Sequence, residues 1–411
     1  MRQTEGEAAF KGQLCATEER TVTNQTVKAQ CNRISGGNRT VDTDTVGGEK
    51  GDADEEVDRT LLWERIAIRA EEKLYRLFYQ ENPAAYEEPV SSWEEFCGRF
   101  ANTALEGKLP QEPPTFIASF LEESSFFSSD PEEDMALVVN CAYCPPFLHR
   151  LAFVKIVYVL RGSCFFFLNG RKRTMEEGDF CMVGPGVEQA VYSCHEEDMV
   201  VNLIMRFGTF SESFLGLMTE QGVMSEFLWR MLYGRSMCCL MCRSKDRNEL
   251  LSENVWELVE EIVLEKQKSN LIRKSLLLIF CGNVLRLHAD HLLILGEGYQ
   301  KEGLRFSAML QYLNTHLDCS LPEFAEYFGV SESYMSRYIK KETGRTYSSL
   351  LREFRMKRAA RMLVSTDFSV DKIVELTGYT DKSRFYRNFL EMYGVPPVKY
   401  RNGGGRTVCL H

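Results

Sequence analysis

Nowhere in the 411 residues is there an apolar run long enough to cross a bilayer. The longest, Leu151 to Leu160, is interrupted by Lys155, and a spanning helix needs about 20 apolar residues. The opening Met1-Arg2-Gln3-Thr4-Glu5 lacks the basic-then-apolar pattern of a secretory leader, so a cytoplasmic protein without a membrane partner is expected. A disulfide framework is missing too, because the 14 cysteines are scattered, as in a reducing compartment. Cys141 with Cys144 and Cys239 with Cys242 have the two-residue spacing of zinc knuckles or redox pairs. About a hundred residues part the two pairs, against roughly 15–20 in a zinc ribbon, so ordinary thiols are expected there. Positive charge is also short overall. The net charge of −10 argues against a nucleic-acid partner only if it is evenly spread. It is not: from Arg305 onward 17 Lys and Arg face 11 Asp and Glu, an excess of +6, and the remainder, 32 against 48, carries −16.

What is present suits a globular protein. The chain is 44% hydrophobic and 26% charged, and its length suggests two or three domains. Residues 1–58 are rich in Thr, Gly, Asn, Asp and Glu with little apolar periodicity, a composition expected to form a disordered arm. In residues 59–110, apolar positions at Leu62, Ile66, Leu74, Leu77 and Phe78, then Trp93, Phe96 and Phe100, predict two short helices. Gln111-Glu112-Pro113-Pro114 marks a boundary. Residues 115–210 hold short apolar or alternating runs between tight turns such as Asn169-Gly170 and Gly184-Pro185-Gly186, which predict an antiparallel sandwich or small barrel. Residues 211–300 return to helical periods, with amphipathic segments around Leu251 to Val263 and Leu276 to His288 suited to a helical linker and to a homodimer formed through 250–295. Gly296 to Gly303 reads as a linker, and 402–411 as a flexible tail.

The region 305–401 carries the strongest signal. Leu321-Pro-Glu-Phe-Ala-Glu-Tyr-Phe-Gly329 and Val370-Asp-Lys-Ile-Val-Glu-Leu-Thr-Gly378 each read as a short helix closed by a glycine able to take a left-handed turn. Each leads into a second helix, capped by Ser331 in the first case and by Thr380 or Asp381 in the second. The second helices bury Met335 and Ile339, or Phe385 and Phe389, at i, i+4. This is a helix-turn-helix plan repeated, in which the second helix enters the major groove. Two residues beyond Met335 and Phe385 stand Arg337 and Arg387, turned roughly 200° from the core side at 100° per residue. Arginine pairs bidentately with guanine, and Ser333, Ser336, Lys382 and Ser383 add donors and acceptors on the same faces. Lys340, Lys341 and Lys399 are placed for phosphates, which position without specifying. Between the units, Ser348 to Leu363 predicts one amphipathic helix, a stiff spacer suited to grooves that recur every ~34 Å.

Residues 305–401 resemble the AraC/XylS family of transcription regulators. The resemblance rests on Phe324-Ala325, Gly329 and Ser331 through Gly344, on Arg355 through Ala360, and on Gly378-Tyr379 and Phe385 through Phe389. It closes with Gly394-Val395-Pro396-Pro397-Val398-Lys399-Tyr400-Arg401. It covers about a quarter of the chain and implies base contacts from Ser333, Ser336, Arg337, Lys382, Ser383 and Arg387. Val374 departs from it, standing where the family usually has Ala. The strand region resembles the cupin-like sensor that many members carry. Of the four ligands a metal-binding cupin would show, only His149 remains; Leu151, Lys155 and Gln189 occupy the other positions, so neither a metal nor another cofactor is expected. His149, Lys155, Tyr158 and Gln189 are candidate contacts to a small organic ligand.

The fold expected is thus multidomain α+β, with a cupin-like antiparallel β barrel, flanking helices and a C-terminal all-α domain of two helix-turn-helix units. The function expected is sequence-specific binding of double-stranded DNA by a transcription regulator that is not an enzyme. The resemblance suggests an activator that answers a small-molecule effector such as a sugar, with RNA polymerase as a further partner. In the alternative, a degenerate cupin with an enzymatic or metal-binding role is tethered to a DNA-binding tail.

Overall fold

The structure is a computed structural model that describes residues 58–66, 69–99, 101, 118–128, 130, 133–214, 222–235, 237–244, 249–264, 270–296 and 306–403. Residues 1–57 of the expected arm, the segment 297–303 and all but the first two residues of the expected tail lie outside the described residues. Helices α1 (Arg59–Ile66), α2 (Arg69–Glu81) and α3 (Trp93–Arg99) come first, three where periodicity suggested two. Strands follow: β1 (Phe120–Leu121), β2 (Met135–Val139), β3 (Arg150–Leu151), β4 (Val154–Arg161), β5 (Ser163–Leu168), β6 (Arg171–Glu176), β7 (Phe180–Val183), β8 (Gln189–Tyr192) and β9 (Met199–Met205). After α4 (Phe207–Ser213) and α5 (Val223–Tyr233), β10 (Cys238–Cys242) precedes α6 (Glu249–Leu264) and α7 (Asn270–His288), and β11 (Leu292–Gly296) closes the region.

A six-stranded antiparallel sheet in the order β11-β10-β7-β4-β9-β2 faces a three-stranded antiparallel sheet, β6-β5-β8, while the two-residue pair β1-β3 is parallel. The layers meet over Val157, Val159, Cys181, Val183, Val200, Cys239 and Met241 from one sheet and Cys164, Phe166, Leu168 and Met175 from the other. This is the expected barrel with one difference. Two of its strands, β10 and β11, come from 211–300, where a purely helical linker was expected. Both faces of Cys238-Cys-Leu-Met-Cys242 are buried, so the segment shows no strand alternation and is indistinguishable from a helix by pattern alone. Gly296 is the last residue of β11 and pairs with Cys238. Cys141, Cys144, Cys239 and Cys242 are not joined in disulfides.

The other face of the large sheet, with Ile156, Tyr158, Met182, Leu203 and Leu240, packs on Leu251, Val255 and Leu258 of α6 and on Leu277, Phe280 and Val284 of α7. Helix α1 lies on α6: Arg59 bonds Glu253 at 2.7 Å and Glu260 at 3.0 Å and covers the Trp256 ring. Phe78, Trp93 and Phe96 form an aromatic layer with Phe147, Phe167 and Tyr192 beside the small sheet.

The C-terminal domain comprises α8 (Phe306–Thr315), α9 (Leu321–Tyr327), α10 (Glu332–Thr343), α11 (Tyr347–Ser365), α12 (Val370–Leu376), α13 (Lys382–Tyr393) and α14 (Pro397–Asn402). Local chemistry explains the repeat. At the end of α9 the Gly329 N–H donates to Glu326 O and Val330 N–H to Ala325 O; at the end of α12 Gly378 donates to Glu375 O and Tyr379 to Val374 O. This is the same Schellman closure twice, with Gly329 at φ 65° and Gly378 at φ 75°. Ser331 accepts from Tyr334 N–H, and Asp381 accepts from Ser383 and Arg384 N–H. The helices that follow end on left-handed Gly344 and Gly394.

A lysine is buried inside the barrel. Lys155 is 6% exposed, and its Nζ donates to Gln189 Oε1 at 2.6 Å. Gln189 Nε2 lies 2.7 Å from His149 Nε2, and His149 Nδ1 lies 2.9 Å from Phe147 O. A carbonyl cannot donate, so His149 carries its proton on Nδ1 and accepts the Gln189 amide on Nε2. Burial pushes Lys155 down to about 7, against smaller opposing effects of Cys181 and Cys164. Burial, then the charge of Lys155, pushes His149 down to about 3.

Two predictions follow from these conformations. Between about pH 7 and 10.5 the unfolded chain holds a proton on Lys155 that the folded chain lacks, so this group makes stability rise with pH across that window, by at most ~1.4 kcal/mol per unit. Urea unfolding at pH 7 and 9 is expected to show a smaller gain for Lys155→Met than for the wild type, and parallel gains would contradict the burial of an amine. Gly329→Ala meets only the left-handed backbone penalty of about 1–2 kcal/mol, since nothing lies within 4 Å of an added Cβ. Gly378→Ala adds a contact of 2.9 Å with Leu317 O and is expected to lower Tm further than Gly329→Ala does.

Candidate nucleic-acid interface

The two second helices, α10 and α13, are built alike. Met335 and Ile339 in α10, and Phe385 and Phe389 in α13, are fully buried and press each helix onto its unit. That leaves the opposite faces to solvent. All nine residues expected to meet DNA are exposed: Ser333, Ser336, Arg337, Lys340 and Lys341 on α10, Lys382, Ser383 and Arg387 on α13, and Lys399 on α14. In α10, Ser333, Arg337 and Lys340 share one face at i, i+4, i+7, and the Arg337 Nε–H donates to Ser333 O at 3.2 Å. In α13, Lys382 Nζ lies 2.8 Å from Asp371 Oδ2, with both side chains largely exposed. Such a pair contributes little and leaves Lys382 able to exchange Asp371 for a phosphate or base edge. Three exposed residues on the same helices escaped the sequence reading, namely Tyr334, Arg384 and Tyr386. Their signal was present, since Tyr334 precedes the buried Met335 and Arg384 and Tyr386 flank the buried Phe385.

The spacer helix α11 fixes one unit against the other. It buries Leu350, Leu351 and Phe354 in the core of the first unit and Met356, Ala359, Ala360 and Leu363 in that of the second. Arg355, at the crossing between the two, donates from Nε to Leu317 O at 2.7 Å and lies 5.2 Å from the centre of the Tyr379 ring. Leu317 follows α8 and Tyr379 follows Gly378, so this one side chain clips the units together. Gly378 is needed at that junction, where an added Cβ would strike Leu317 O. The departure Val374 is buried in the second core, which accommodates its extra methyl groups.

Of the four candidate ligand contacts, three meet. Lys155, Gln189 and His149 form the hydrogen-bonded chain inside the barrel, whereas Tyr158 faces the other side of the sheet, edge-on to Phe280 at 6.1 Å, with its hydroxyl unpartnered. Residues three apart on a strand point to opposite faces, so this separation was readable from numbering alone. Among the described residues, no group of three or more His, Cys, Asp or Glu is placed to hold a metal ion, and no helix is long and apolar enough to cross a membrane.

A helix-turn-helix domain family matches residues 324–403. The uncharacterized HTH-type transcriptional regulator YobQ of Bacillus subtilis (strain 168) is 31% identical over 108 residues, 25% of this chain and 45% of YobQ. The multiple antibiotic resistance protein MarA of Escherichia coli (strain K12) is 27% identical over 114 residues, 27% of this chain and 90% of MarA. The chain thus spans less than half the length of YobQ and nearly all of MarA. Among solved structures, the C-terminal domain of AraT, a response regulator from Geobacillus stearothermophilus, is 34% identical, with 25% of this chain and 91% of that domain covered at a TM-score of 0.23. Residues 324–403 therefore form a helix-turn-helix domain of the kind found in AraC/XylS-family transcription regulators.

Proposed function

We propose that this protein is a transcription regulator that binds one bipartite DNA site with both units, laying α10 and α13 in successive major grooves. One observation carries the reading: two helices capped and buried at equivalent positions each expose an arginine at the equivalent position, Arg337 and Arg387. The +6 balance of the tail supplies attraction to phosphates, which makes such binding salt-dependent. The barrel is the sensor in this reading, with Lys155, Gln189 and His149 as its polar contacts to a small organic effector such as a sugar. An activator that works on RNA polymerase fits the family. The protein acts as a cytoplasmic homodimer here. Since α1 covers part of α6, the dimer surface within 250–295 narrows to α7, where Leu271 and Ile279 are 74% and 50% exposed.

The test is binding of full-length protein to a labelled duplex carrying its site. Arg337→Ala and Arg387→Ala are each expected to weaken specific binding by about 1–3 kcal/mol and to relax base preference within one half-site. Lys340→Ala and Lys399→Ala are expected to weaken binding to all sequences alike and to flatten its dependence on salt. An arginine variant that binds as tightly as the wild type contradicts the assignment for that helix.

A further inference from the structure

Helix α5 bridges the barrel and the DNA-binding domain, and its buried ion pairs go to the first unit. Arg230, 6% exposed, donates from Nε to Glu226 Oε1 at 2.5 Å and from Nη1 to Glu342 Oε2 at 3.2 Å, and it lies over the Phe306 ring at 5.0 Å. The second oxygen of Glu226 accepts the Ser307 N–H at 2.8 Å. Just beyond α5, the Arg235 N–H donates to Glu342 O at 2.8 Å, which satisfies a carbonyl at the end of α10 that the helix itself leaves open. Trp229 and Tyr233 pack their rings on Phe354 of α11, and Lys357 donates to the Tyr233 hydroxyl. These partners sit on α8, α10 and the middle of α11, where Phe354 belongs to the first core and Lys357 follows Met356 of the second.

The apolar cores divide along the same line. One continuous core runs from the large sheet through Phe227, Leu228 and Trp229 to Phe306, Met309, Phe324, Met335 and Ile339. The second unit has its own core of Ile373, Val374, Phe385 and Phe389. The same C-terminal end of α5 is tied to the barrel. Met231 lies over Gly184, where an added Cβ would come within 3.2 Å of its Cγ, and β10 begins five residues after Tyr233 and puts Cys239 into the barrel interior. Glu342 is at the last turn of α10, whereas Ser333, Ser336 and Arg337 lie in its first half and remain exposed. The contact therefore holds the reading helix from behind without covering its reading face.

We infer that Arg230 is a positioning residue for DNA recognition, fixing α10 to the barrel through Glu342, so that the sensor domain governs the half-site read by α10 and leaves the α13 half-site to the second unit. This rests on the DNA-binding function proposed above. A buried arginine between two carboxylates suits the role, because removing it strands two acids in a low-dielectric contact, whereas lysine supplies charge without the planar fork that reaches both.

The test uses the full chain and two readouts. Affinities are measured for the intact site and for duplexes in which either half-site is scrambled, for wild type, Arg230→Met, Arg230→Lys and Glu342→Gln. The Met and Gln variants are expected to lose about tenfold on the duplex that keeps only the α10 half and to stay within about twofold on the duplex that keeps only the α13 half, with Lys falling between. Equal loss on both halves, no loss on either, or a selective gain overturns the inference. Amide hydrogen exchange without DNA is the second readout and separates failure of this inference from failure of the DNA-binding reading. Faster exchange in α10 with α13 unchanged is expected for Glu342→Gln, which leaves the Arg230–Glu226 pair in place. Unchanged exchange in α10, or equal loosening of both helices, overturns the inference whatever DNA does.

Discussion

A single apolar core passes without interruption from the large sheet of the barrel into the first helix-turn-helix unit, and the rest of the architecture depends on that continuity. Burial of large side chains such as Phe227, Trp229, Phe306 and Met335, each contributing about 1.5–3 kcal/mol by area, makes the barrel and the first unit one packed body. Interiors of this kind do not deform smoothly but shift between discrete packings. Helix α5 lies in the middle of that shared core. The second unit, with its own core, is joined to that body through α11 and the Arg355 clip.

Charge placement follows the same division. Exposed basic side chains collect on α10, α13 and α14, while the acidic excess stays in the first three hundred residues. The two buried cations serve different ends. Arg230 is flanked by carboxylates that hold its guanidinium above the ordinary range against the opposite pull of burial. Lys155 has an amide and a histidine chain instead, and burial brings it toward neutrality. An amine in that state can donate to or accept from a neutral polar ligand, which fits the effector class proposed for the barrel.

The C-terminal domain was legible in the sequence because its determinants are local. A cap such as Ser331, a glycine such as Gly378 and an i, i+4 pair such as Phe385 with Phe389 act within one turn or one helix, so spacing alone exposes them. The barrel was legible as a class through its turns, but β10 and β11 were hidden. Their burial on both faces comes from strands and helices far away in the chain, which no periodicity reports. The same reason hid Arg230 and Glu342, which lie 112 residues apart, and Arg355, whose partners Leu317 and Tyr379 flank it at a distance. Tyr158 is the opposite case, since counting from Lys155 along the strand would have placed it on the far face.

The central claim is that both units read one DNA site together, and selection from a random DNA pool by the full-length protein tests it most directly. The account predicts enrichment of two distinct short motifs whose centres are spaced by about one helical turn, 10–10.5 base pairs. Enrichment of a single motif, or of two motifs at freely varying separation, would contradict it, because α11 and the Arg355 clip leave the reading helices one fixed spacing.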